Sequence, residues 1–244
     1  MRVPRVYTPQ ALMLGKLLEL EAAASKHLLT VLRLKPGAPL VLFNGDGREY
    51  DAELQAGAKR RAHAKIGAQR PARTESPIAL TLVQGISRGE RMDYTLQKAV
   101  ELGVSEIVPV ATERSMVKLD ADNVARKLAH WQSIVIGACE QSGRLRVPDI
   151  AAPVTLAARL KTAPAGLGLL LDPAAESSLR MLARPVAQHV TLLVGPEGGL
   201  SETERLAARR AGFQGVRLGP RVLRTETAAL VALSVLQSLW GDLG

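Results

Sequence analysis

The sequence predicts a small β-rich N-terminal domain, residues 1–72, followed by a larger α/β domain, residues 73–244, with a mainly parallel sheet. Three observations predict this arrangement. The segment "LVLFNGDGREYDAEL" places two apolar runs around an Asn-Gly-Asp-Gly turn, which is a hairpin signal. Residues 68–77, "AQRPARTESP", combine two prolines with polar residues and carry no apolar periodicity, as a linker does. After this linker, apolar runs alternate with amphipathic stretches, the pattern of an α/β domain.

The apolar runs of the second domain are typical of buried parallel strands, which are covered on both faces. An amphipathic helix with apolar residues at Met92, Leu96 and Ala99 precedes Gly103, a plausible C-terminal glycine. A longer helix ends near Gly143. The predicted strands are residues 78–84, 105–110, 166–171, 189–194 and 215–218.

The charge of the chain indicates a polyanionic partner. The net charge is +9 and the pI is about 10.1. Residues 1–72 hold 12 Lys and Arg against 6 Asp and Glu, whereas residues 73–244 hold 20 against 17. Aromatic residues are only 3%, so phosphate contacts rather than stacking on many rings would dominate binding. Lys59, Arg60 and Arg61 form a basic triplet, for which a solvated loop is the alternative interpretation.

Composition excludes several other classes of protein. One cysteine, Cys139, excludes an internal disulfide framework, and four scattered histidines show no metal-ligand spacing, so we expect no metal. No run of about eighteen apolar residues and no signal-peptide stretch is present. The sequence therefore predicts a soluble, cytoplasmic protein.

A glycine-rich loop lies in "LLVGPEGGLSETE", residues 192–204, between a predicted strand and a helix whose start has the capping-box residues Ser201 and Glu204. It matches neither a Walker loop nor Gly-x-Gly-x-x-Gly. Pro196 removes one amide and Glu197 would repel a pyrophosphate, so the loop suits a ligand with little negative charge. Adenine or ribose held by backbone atoms fits that description. A tight turn without a ligand is the alternative for this loop taken alone.

Two further segments concentrate polar side chains. A loop before the C-terminal helix contains Arg221, Arg224, Thr225, Glu226 and Thr227. Because these polar side chains cannot contribute to an apolar core, their clustering favours a functional role. Residues 138–148, "ACEQSGRLRVP", crowd a helix end with charged and polar residues. Capping and solvated charge are the alternative interpretation of this second cluster.

The motifs resemble one family. "GPEGGLSETE" followed by "LGPRVLRTETA" is similar to the RsmE family of SPOUT-class RNA methyltransferases. "HLLTVLRLKPG" with "LFNGDGREY" resembles the PUA-like N-terminal domain of that family, and "LQKAVELGVSEIVPVATERS" and "ACEQSGR" resemble its middle motifs. These fragments occur in the order of the family and span nearly the whole chain. One departure is Arg88 where lysine is expected, which keeps the charge but not the hydrogen-bond geometry.

The resemblance implies a fold, a reaction and partners. It implies a PUA-like β-barrel that binds RNA and a SPOUT-type α/β domain with a C-terminal trefoil knot. It implies methylation of N3 of a uridine in the 16S rRNA of the small ribosomal subunit, by a homodimer with its active site near the subunit interface. The implied cofactor is S-adenosylmethionine, whose reactive centre is a sulfonium cation and which lacks phosphates. A proline and a glutamate in the glycine-rich loop are acceptable for such a ligand.

The resemblance also implies the site residues. The residues implied to bind the cofactor are Leu171, Gly195, Pro196, Glu197, Gly198, Gly199, Leu218, Gly219, Leu223, Thr225 and Thr227. The catalytic residues, implied to face the target base, are Arg221, Arg224 and Glu226. The residues expected to bind RNA are Arg2, Arg5, Arg33, Lys59, Arg60, Arg61, Arg88 and Arg144. For removal of the imide proton, Glu226 and bulk water are the two candidates.

Two other functions stay open at the level of sequence. A non-catalytic RNA-binding or ribosome-assembly factor would bind RNA without binding the cofactor. A pseudouridine synthase would need a catalytic aspartate, and Asp93, Asp149 and Asp172 lie in no sequence context that marks one. Cys139 is the one possible thiolate nucleophile, but its position on an apolar helical stripe predicts a small buried residue instead.

Overall fold

The computed structural model describes residues 3–57, 61–71, 74–115 and 121–244, with the backbone alone at residues 121 and 122. Within these ranges the chain divides into two compact units. The first unit extends to Glu75 and includes Cys139–Val147, and the second consists of Ser76–Ala138 and Pro148–Gly244. Residues 72 and 73, between which the sequence predicts the domain boundary, lie outside the described ranges. The sequence gives no signal that Cys139–Val147 joins the first unit.

The first unit is built on a mostly antiparallel sheet. Its strands are β1 (Arg5–Tyr7), β2 (Leu17–Glu19), β3 (Pro39–Phe43), β4 (Arg48–Gln55) and β5 (His63–Pro71); a helix, α1 (Ala22–Lys26), is followed by a π-helical turn, His27–Val31. In the described part of the unit the five strands follow the order β1-β3-β4-β5-β2. β1 pairs with β3 in parallel and the other pairs are antiparallel. The predicted hairpin is confirmed as β3 and β4, with positive φ at Gly45 and Gly47 in its turn.

The predicted linker is wrong in its first part, because β5 continues to Pro71 and pairs there with Arg48 of β4. The sequence pattern does not indicate this extension of β5. Residues 67–71 are exposed and β2 pairs only with residues 63–65, so this end of β5 needs no alternation of apolar side chains. The apolar core of the unit lies under the other strands and includes Leu20, Leu28 and Leu42, each fully buried.

The second unit alternates strands and helices, as predicted. Its strands are β6 (Ala79–Gly85), β7 (Glu106–Ala111), β8 (Asp149–Ile150), β9 (Val154–Thr155), β10 (Leu167–Leu171), β11 (His189–Val194) and β12 (Phe213–Val216). Its helices are α2 (Glu90–Glu101), α3 (Ala121–Ser142), α4 (Leu156–Arg159), α5 (Glu202–Arg210) and α6 (Thr225–Trp240), with a 3-10 turn at Leu179–Met181. The last turn of α3, from Cys139 onward, belongs to the first unit.

The sheet of the second unit is parallel throughout its described strands, which confirms the predicted α/β class. Its order is β12-β10-β11-β6-β7-β8, and β9 also pairs with β7. Four predicted strands agree with the observed ones to within a residue at each end. The fifth was predicted at residues 215–218 but β12 occupies Phe213–Val216. Arg217 and Leu218 instead begin the loop that follows, where the Arg217 amide donates to the carbonyl of Ser177.

The helices follow the predicted spacing. In α2 the buried residues Met92, Leu96 and Ala99 face the core, and Gly103 follows with φ +80°. α3 ends before Gly143, where φ is +90°. Both glycines therefore adopt the left-handed conformation that commonly ends a helix. No helix in the described ranges has the length and apolar character needed to span a lipid bilayer.

A buried glutamine joins α6 to α2. Gln237 is 1% exposed on the otherwise apolar buried face of α6. Its Nε2 donates to the carbonyl of Leu102 at 2.8 Å, and its Oε1 accepts from the Ser76 hydroxyl at 2.7 Å. Both ends of the amide are thus satisfied, which removes most of the cost of burying it. These bonds hold the C-terminal half of α6 against the end of α2.

An ion pair holds in place the segment of the first unit that is distant in sequence from the rest of that unit. The Glu75 carboxylate accepts from Arg144 Nε at 3.1 Å and Arg144 Nη2 at 2.6 Å. Its other oxygen accepts from the amides of Leu145 at 3.0 Å and Arg146 at 3.1 Å. The Arg144 side chain is only 6% exposed. One carboxylate therefore neutralises a buried guanidinium and ties residues 144–146 to the rest of the unit.

We predict that Glu75→Ala destabilises the protein by about 2 to 4 kcal/mol, because it leaves the buried Arg144 guanidinium without its counter-charge. Urea denaturation followed by circular dichroism measures the change. Glu53→Ala is the matched control, since Glu53 is an exposed carboxylate of β4 and its loss is expected to cost less than about 0.5 kcal/mol. Equal midpoints for the two variants would contradict the structural role of the ion pair.

Candidate functional site

The largest concentration of predicted site residues lies where three neighbouring strands end. The carboxyl ends of β12, β10 and β11 meet at one edge of the sheet, and the loops that leave them enclose a cavity of about 490 Å³. We call it the first cavity. It is lined by the glycine-rich loop after β11, by residues after β10 and β12, and by the start of α6. This is the position at which open parallel sheets bind ligands.

The glycine-rich loop is shaped by close backbone packing. The Gly199 amide donates to the carbonyl of Pro196 at 2.9 Å, which closes a turn. A Cβ at Gly195 would lie 3.1 Å from the Gly199 carbonyl carbon, and a Cβ at Gly198 would lie 3.0 Å from Arg114 Cβ. Gly199 has φ +66°, and a Cβ there would meet no atom of the described residues within 4 Å. A side chain at either of the first two glycines would crowd its neighbours, whereas Gly199 borders open space that a ligand can occupy.

The helix after the loop begins with the predicted capping box. The Ser201 side chain accepts from the Glu204 amide at 3.1 Å, and the Glu204 carboxylate accepts from the Ser201 amide at 2.9 Å. The other Glu204 oxygen accepts from the amide of Glu113 at 2.9 Å. Glu204 is 8% exposed, and the two bonds from the Ser201 and Glu113 amides satisfy one each of its carboxylate oxygens. The capping box therefore also fixes the loop after β7 beside the glycine-rich loop.

Thr225 joins the loop to α6. Its hydroxyl donates to the carbonyl of Gly195 at 2.6 Å and accepts from Gln84 Nε2 at 3.0 Å. Gln84 is fully buried at the carboxyl end of β6, and its Nε2 also donates to the carbonyl of Gly85 at 3.0 Å. The predicted site residue Thr225 thus lines the first cavity, but its hydroxyl is engaged with protein atoms. Its observed contacts position the loop.

Glu197 is held by the start of α2. Its Oε1 accepts from the Arg88 amide at 3.1 Å and from Arg91 Nη1 at 3.1 Å. Burial raises the pKa of Glu197, but the Arg88 amide and the Arg91 guanidinium outweigh that effect and hold the pKa below its ordinary value. Glu197 is therefore a carboxylate paired within the protein. On the other side of the loop, Arg114 Nη1 donates to the carbonyl of Gly198 at 3.1 Å.

A second cavity, of about 730 Å³, adjoins the first. It lies between α2, α3 and the start of α6. Arg91, Arg224 and Glu226 line both cavities, so they form a common wall. Within the described residues Glu226 Oε2 is buried and has no hydrogen-bond partner. A buried carboxylate oxygen without a hydrogen-bond partner is uncommon, which makes Glu226 a candidate functional group of this wall.

The structure brings nearly all of the predicted cofactor and catalytic residues together. The first cavity is lined by Leu171, Gly195, Pro196, Glu197, Gly198, Gly199, Leu218, Gly219, Leu223 and Thr225, together with Arg221, Arg224 and Glu226. Thr227 lines the second cavity instead. Three segments that are distant in sequence therefore converge on one site.

The residues predicted to bind RNA are dispersed. Arg2, Lys59 and Arg60 lie outside the described residues. Arg33 is exposed with φ +52°, Arg61 is half-exposed with Glu19 3.6 Å away, and Arg88 is exposed beside the glycine-rich loop. These three side chains can reach solvent.

Arg5 and Arg144 have a different environment from the one predicted. Arg5 forms an ion pair with Glu49, lies 5.1 Å from the centre of the Phe43 ring, and donates to the carbonyl of Gly143 at 3.0 Å. Arg144 is 5% exposed and bound to Glu75. Both guanidinium groups are paired with carboxylates of the first unit, and RNA binding by either residue stays a prediction.

Several lining residues were missed by sequence reasoning. Arg91, Arg114, Asp172, Arg205 and Arg217 line the first cavity. Asp172 and Arg217 directly follow the carboxyl ends of β10 and β12, so the strand-end rule applied to these strands was a usable signal. Arg91 and Arg114 come from loops and helices whose approach depends on the packing of the whole sheet. The sequence carries no local signal for them.

The remaining candidate residues are accounted for by the structure. Cys139 is fully buried, and burial raises the pKa of its thiol to about 12. Asp172 is paired with Arg209 at 3.0 Å, Asp93 lies 2.8 Å from His130 Nε2, and Asp149 begins β8. Among the described residues no group of His, Cys, Asp and Glu has the arrangement of a metal site.

Comparison with known protein families identifies the two parts of the chain. Residues 74–237 match the RNA methyltransferase domain family, and residues 20–67 match the RNA methyltransferase PUA domain family. The ribosomal RNA small subunit methyltransferase E of Buchnera aphidicola is 32% identical over 243 residues, which cover 99% of this chain and 98% of that protein.

Solved structures resemble the whole chain. A Legionella pneumophila protein in complex with the cofactor SAM is 43% identical with a TM-score of 0.96, and each chain is covered over 100% of its length. Ribosomal RNA small subunit methyltransferase E from Neisseria gonorrhoeae, bound to S-adenosyl methionine, is 42% identical with a TM-score of 0.92 and the same coverage. The resemblance inferred from the motifs is thereby confirmed, and the chain belongs to the RNA methyltransferase family that includes the ribosomal RNA small subunit methyltransferases E.

Proposed function

We propose that this chain is an S-adenosylmethionine-dependent methyltransferase that methylates N3 of a uridine in 16S rRNA of the small ribosomal subunit. The observation that carries the proposal is the first cavity, where a glycine-rich loop at the carboxyl ends of three parallel strands faces Arg224 and Glu226. Relatives that are similar over their full length are named for methylation of small-subunit rRNA, and one was solved with S-adenosyl methionine.

The residues of the first cavity fit this cofactor. Leu171, Val194, Val216, Leu218 and Leu223 supply apolar surface for an adenine ring. The space beside Gly199 is free of atoms of the described residues and lets a ligand approach the backbone. Arg91 and Arg88 occupy the Glu197 carboxylate, so this loop does not present an isolated negative charge to the ligand. When bound, the cofactor supplies the sulfonium methyl group.

The protein must remove the proton from N3 and align N3 with the methyl group. N3 of a uridine carries an imide proton, and Glu226 Oε2 is a buried acceptor of the wall that has no partner among the residues that the structure describes. We assign it as the general base: the proton passes to Glu226, and the N3 electron pair forms a bond to the methyl carbon. The carbon–sulfur bond breaks and its electron pair stays on sulfur, so atoms and charges balance. Holding N3 in line with that bond supplies much of the rate.

The arginines near the wall have a separate role. Arg221 and Arg224 are exposed at the rim of the first cavity. Each can neutralise an RNA phosphate or hold a base oxygen, because a guanidinium presents several donors in a fixed plane. The first cavity also contains Arg217 after β12. This positive rim draws RNA toward the site.

The division of labour follows the two family matches. We propose that residues 1–72 bind rRNA and that residues 73–244 carry out methyl transfer. The surface arginines Arg33 and Arg61, with the basic residues Lys59 and Arg60, support the first assignment through the positive excess of this region. A chain acting on ribosomal RNA works in the cytoplasm, where its substrate is assembled.

Two finer features are part of the proposal. The apolar α6 supports a homodimer: it buries Leu233 and Leu236 in its own unit, yet Val231 and Leu239 on the opposite side are 37% and 41% exposed. A helix that is apolar on both faces is usually covered on both. The trefoil knot implied by the family resemblance is proposed for the segment in which α6 follows the edge strand β12 and returns to contact β11 and β6.

The main test of the proposal is the cofactor titration. We predict that Gly199→Val weakens S-adenosylmethionine binding by about ten-fold or more, roughly 1.4 kcal/mol, because the new side chain occupies the space beside the loop. Isothermal titration calorimetry measures the affinity. Gly37→Val is the matched control, since Gly37 has φ +87° and similar open space in the first unit. The control carries the same backbone strain and is expected to bind the cofactor normally.

Two outcomes of this titration would count against the proposal. If the folded Gly199→Val variant binds the cofactor as the unaltered chain does, the glycine-rich loop is not part of the site. If the unaltered chain binds RNA but no S-adenosylmethionine, a non-catalytic RNA-binding factor becomes the better interpretation.

RNA docking is tested by charge reversal. We predict that replacing Lys59, Arg60 and Arg61 by glutamate weakens rRNA binding and lowers the log–log salt slope by roughly one for each phosphate that the variant no longer neutralises. Cofactor affinity should stay the same. The matched control reverses the exposed basic residues Lys161, Arg180 and Arg210 of the second unit. An unchanged salt slope in the first variant would mean that the triplet is ordinary solvated surface.

The N3 mechanism requires no protein nucleophile, in contrast to carbon-5 methylation through a covalent thiolate. A thiol with a pKa near 12 is protonated at neutral pH. We therefore predict that Cys139→Ala keeps methyl transfer within about three-fold of the unaltered chain, with a product methylated at N3. Nucleoside mass spectrometry identifies the product. A folded, cofactor-binding Cys139→Ala variant without activity would favour covalent catalysis.

A further inference from the structure

The second cavity is lined by an aromatic side chain that is about half exposed. All seven aromatic residues of the chain lie among the described residues, and Tyr94 on α2 is 49% exposed. Phe43, Tyr50, Trp131, Phe213 and Trp240 are buried, and Tyr7 is half-buried against Phe43. A large ring left in water forgoes the favourable transfer that the others gain. Tyr94 therefore offers aromatic surface that a ligand in the second cavity can cover.

The surroundings of Tyr94 are mostly polar. One other lining residue, Ile134 of α3, is apolar; the remaining lining residues are polar or charged, namely Glu90, Arg91, Asp93, Gln97, His130, Arg224, Glu226 and Thr227. Gln97 is exposed and presents both an amide donor and a carbonyl acceptor. His130 Nε2 is held by Asp93 Oδ2 at 2.8 Å, which orients the imidazole and leaves its other ring nitrogen for further bonding. Such lining does not suit an apolar protein segment.

One class of ligand needs both a flat apolar face and hydrogen-bonding edges, namely a nucleobase. Single-stranded nucleotides are recognised by stacking on an aromatic ring and by hydrogen bonds to the base edge. Enzymes that modify a base move it out of its stack into a pocket that offers these two contacts. A ring on one side, with amide, imidazole and carboxylate groups around it, provides them here.

The common wall places a ligand of the second cavity next to a ligand of the first. Glu226 and Arg224 line both cavities, so a base in the second cavity and the cofactor proposed for the first would meet at Glu226. Glu226 would then contact both ligands, and its Oε2 has no hydrogen-bond partner among the described residues. This is where an imide proton must be removed before N3 reacts.

We propose that the second cavity is the target-base pocket and that the flipped uridine ring stacks on Tyr94. The proposal rests on the proposed function, because it assumes that the first cavity holds the methyl donor. Tyr94 touches the substrate without taking part in proton transfer. Its ring sets the plane of the uracil, so that N3 faces the wall residue Glu226.

The test compares Tyr94→Ala with Tyr94→Phe in methyl transfer from radiolabelled S-adenosylmethionine to small ribosomal subunits that lack the modification. Loss of the ring should lower the single-turnover rate roughly 10- to 100-fold, the range of base–aromatic stacking, with unchanged cofactor affinity. Tyr94→Phe keeps the ring and should stay within about three-fold of the unaltered chain. Leu206→Ala is the matched control, since Leu206 is 45% exposed on α5 and lines neither cavity.

Each contrary outcome has a distinct meaning. Full activity of Tyr94→Ala would overturn the base pocket while leaving the proposed function intact. Equal losses in Tyr94→Ala and Tyr94→Phe would assign the effect to the hydroxyl and overturn stacking. A change of sedimentation coefficient in Tyr94→Ala would show that the ring is covered by a second copy of the chain. No transfer by the unaltered chain would overturn the proposed function and the base pocket together.

Discussion

The arrangement of the candidate site depends on the hydroxyl of Thr225. It donates to Gly195 at the end of β11 and accepts from Gln84 at the end of β6, so one oxygen atom connects two strand ends and the start of α6. Thr225 and Gln84 are both shielded from water, where hydrogen bonds are hardest to replace. The glycine-rich loop, the wall residues Arg224 and Glu226, and hence both cavities take their positions from this contact. It is short, polar and internal, and it leaves the apolar surfaces of the first cavity free for a ligand.

The basic character of the chain has two different uses. The Arg5 and Arg144 guanidiniums are neutralised by Glu49 and Glu75 inside the first unit, where they hold separate segments together. The arginines of the first cavity lie instead at a rim that solvent reaches. The net charge of the chain does not distinguish arginines that are paired inside the fold from arginines that solvent reaches. The difference arises from which carboxylates the fold brings within reach, and it decides which cations are left to attract a polyanion.

Local patterns predicted those parts of the structure that depend on neighbours in sequence. The hairpin at Gly45 and Gly47, the Ser201–Glu204 capping box and the parallel α/β class all follow from short-range rules. The partners of Arg5 and Arg144 could not be predicted, because they lie far along the chain and carry no spacing that links them. The end of β5 was not predicted for another reason. Its side chains are exposed, so no alternation of apolar residues is needed there. Arg91 and Arg114 reach the site only through the order of strands in the sheet, which the sequence does not display.

The burial of Cys139 bears on how the protein withstands oxidising conditions. Peroxide attacks thiolates that solvent reaches, and this sulfur is fully enclosed, with a pKa that keeps it protonated. Sulfenic acid formation and mixed disulfides with glutathione both begin from that thiolate. Since this is the one cysteine of the chain, the folded protein offers no sulfur through which cellular redox state acts on a thiol. Oxidation of this thiol therefore requires a local opening of the fold that exposes the sulfur.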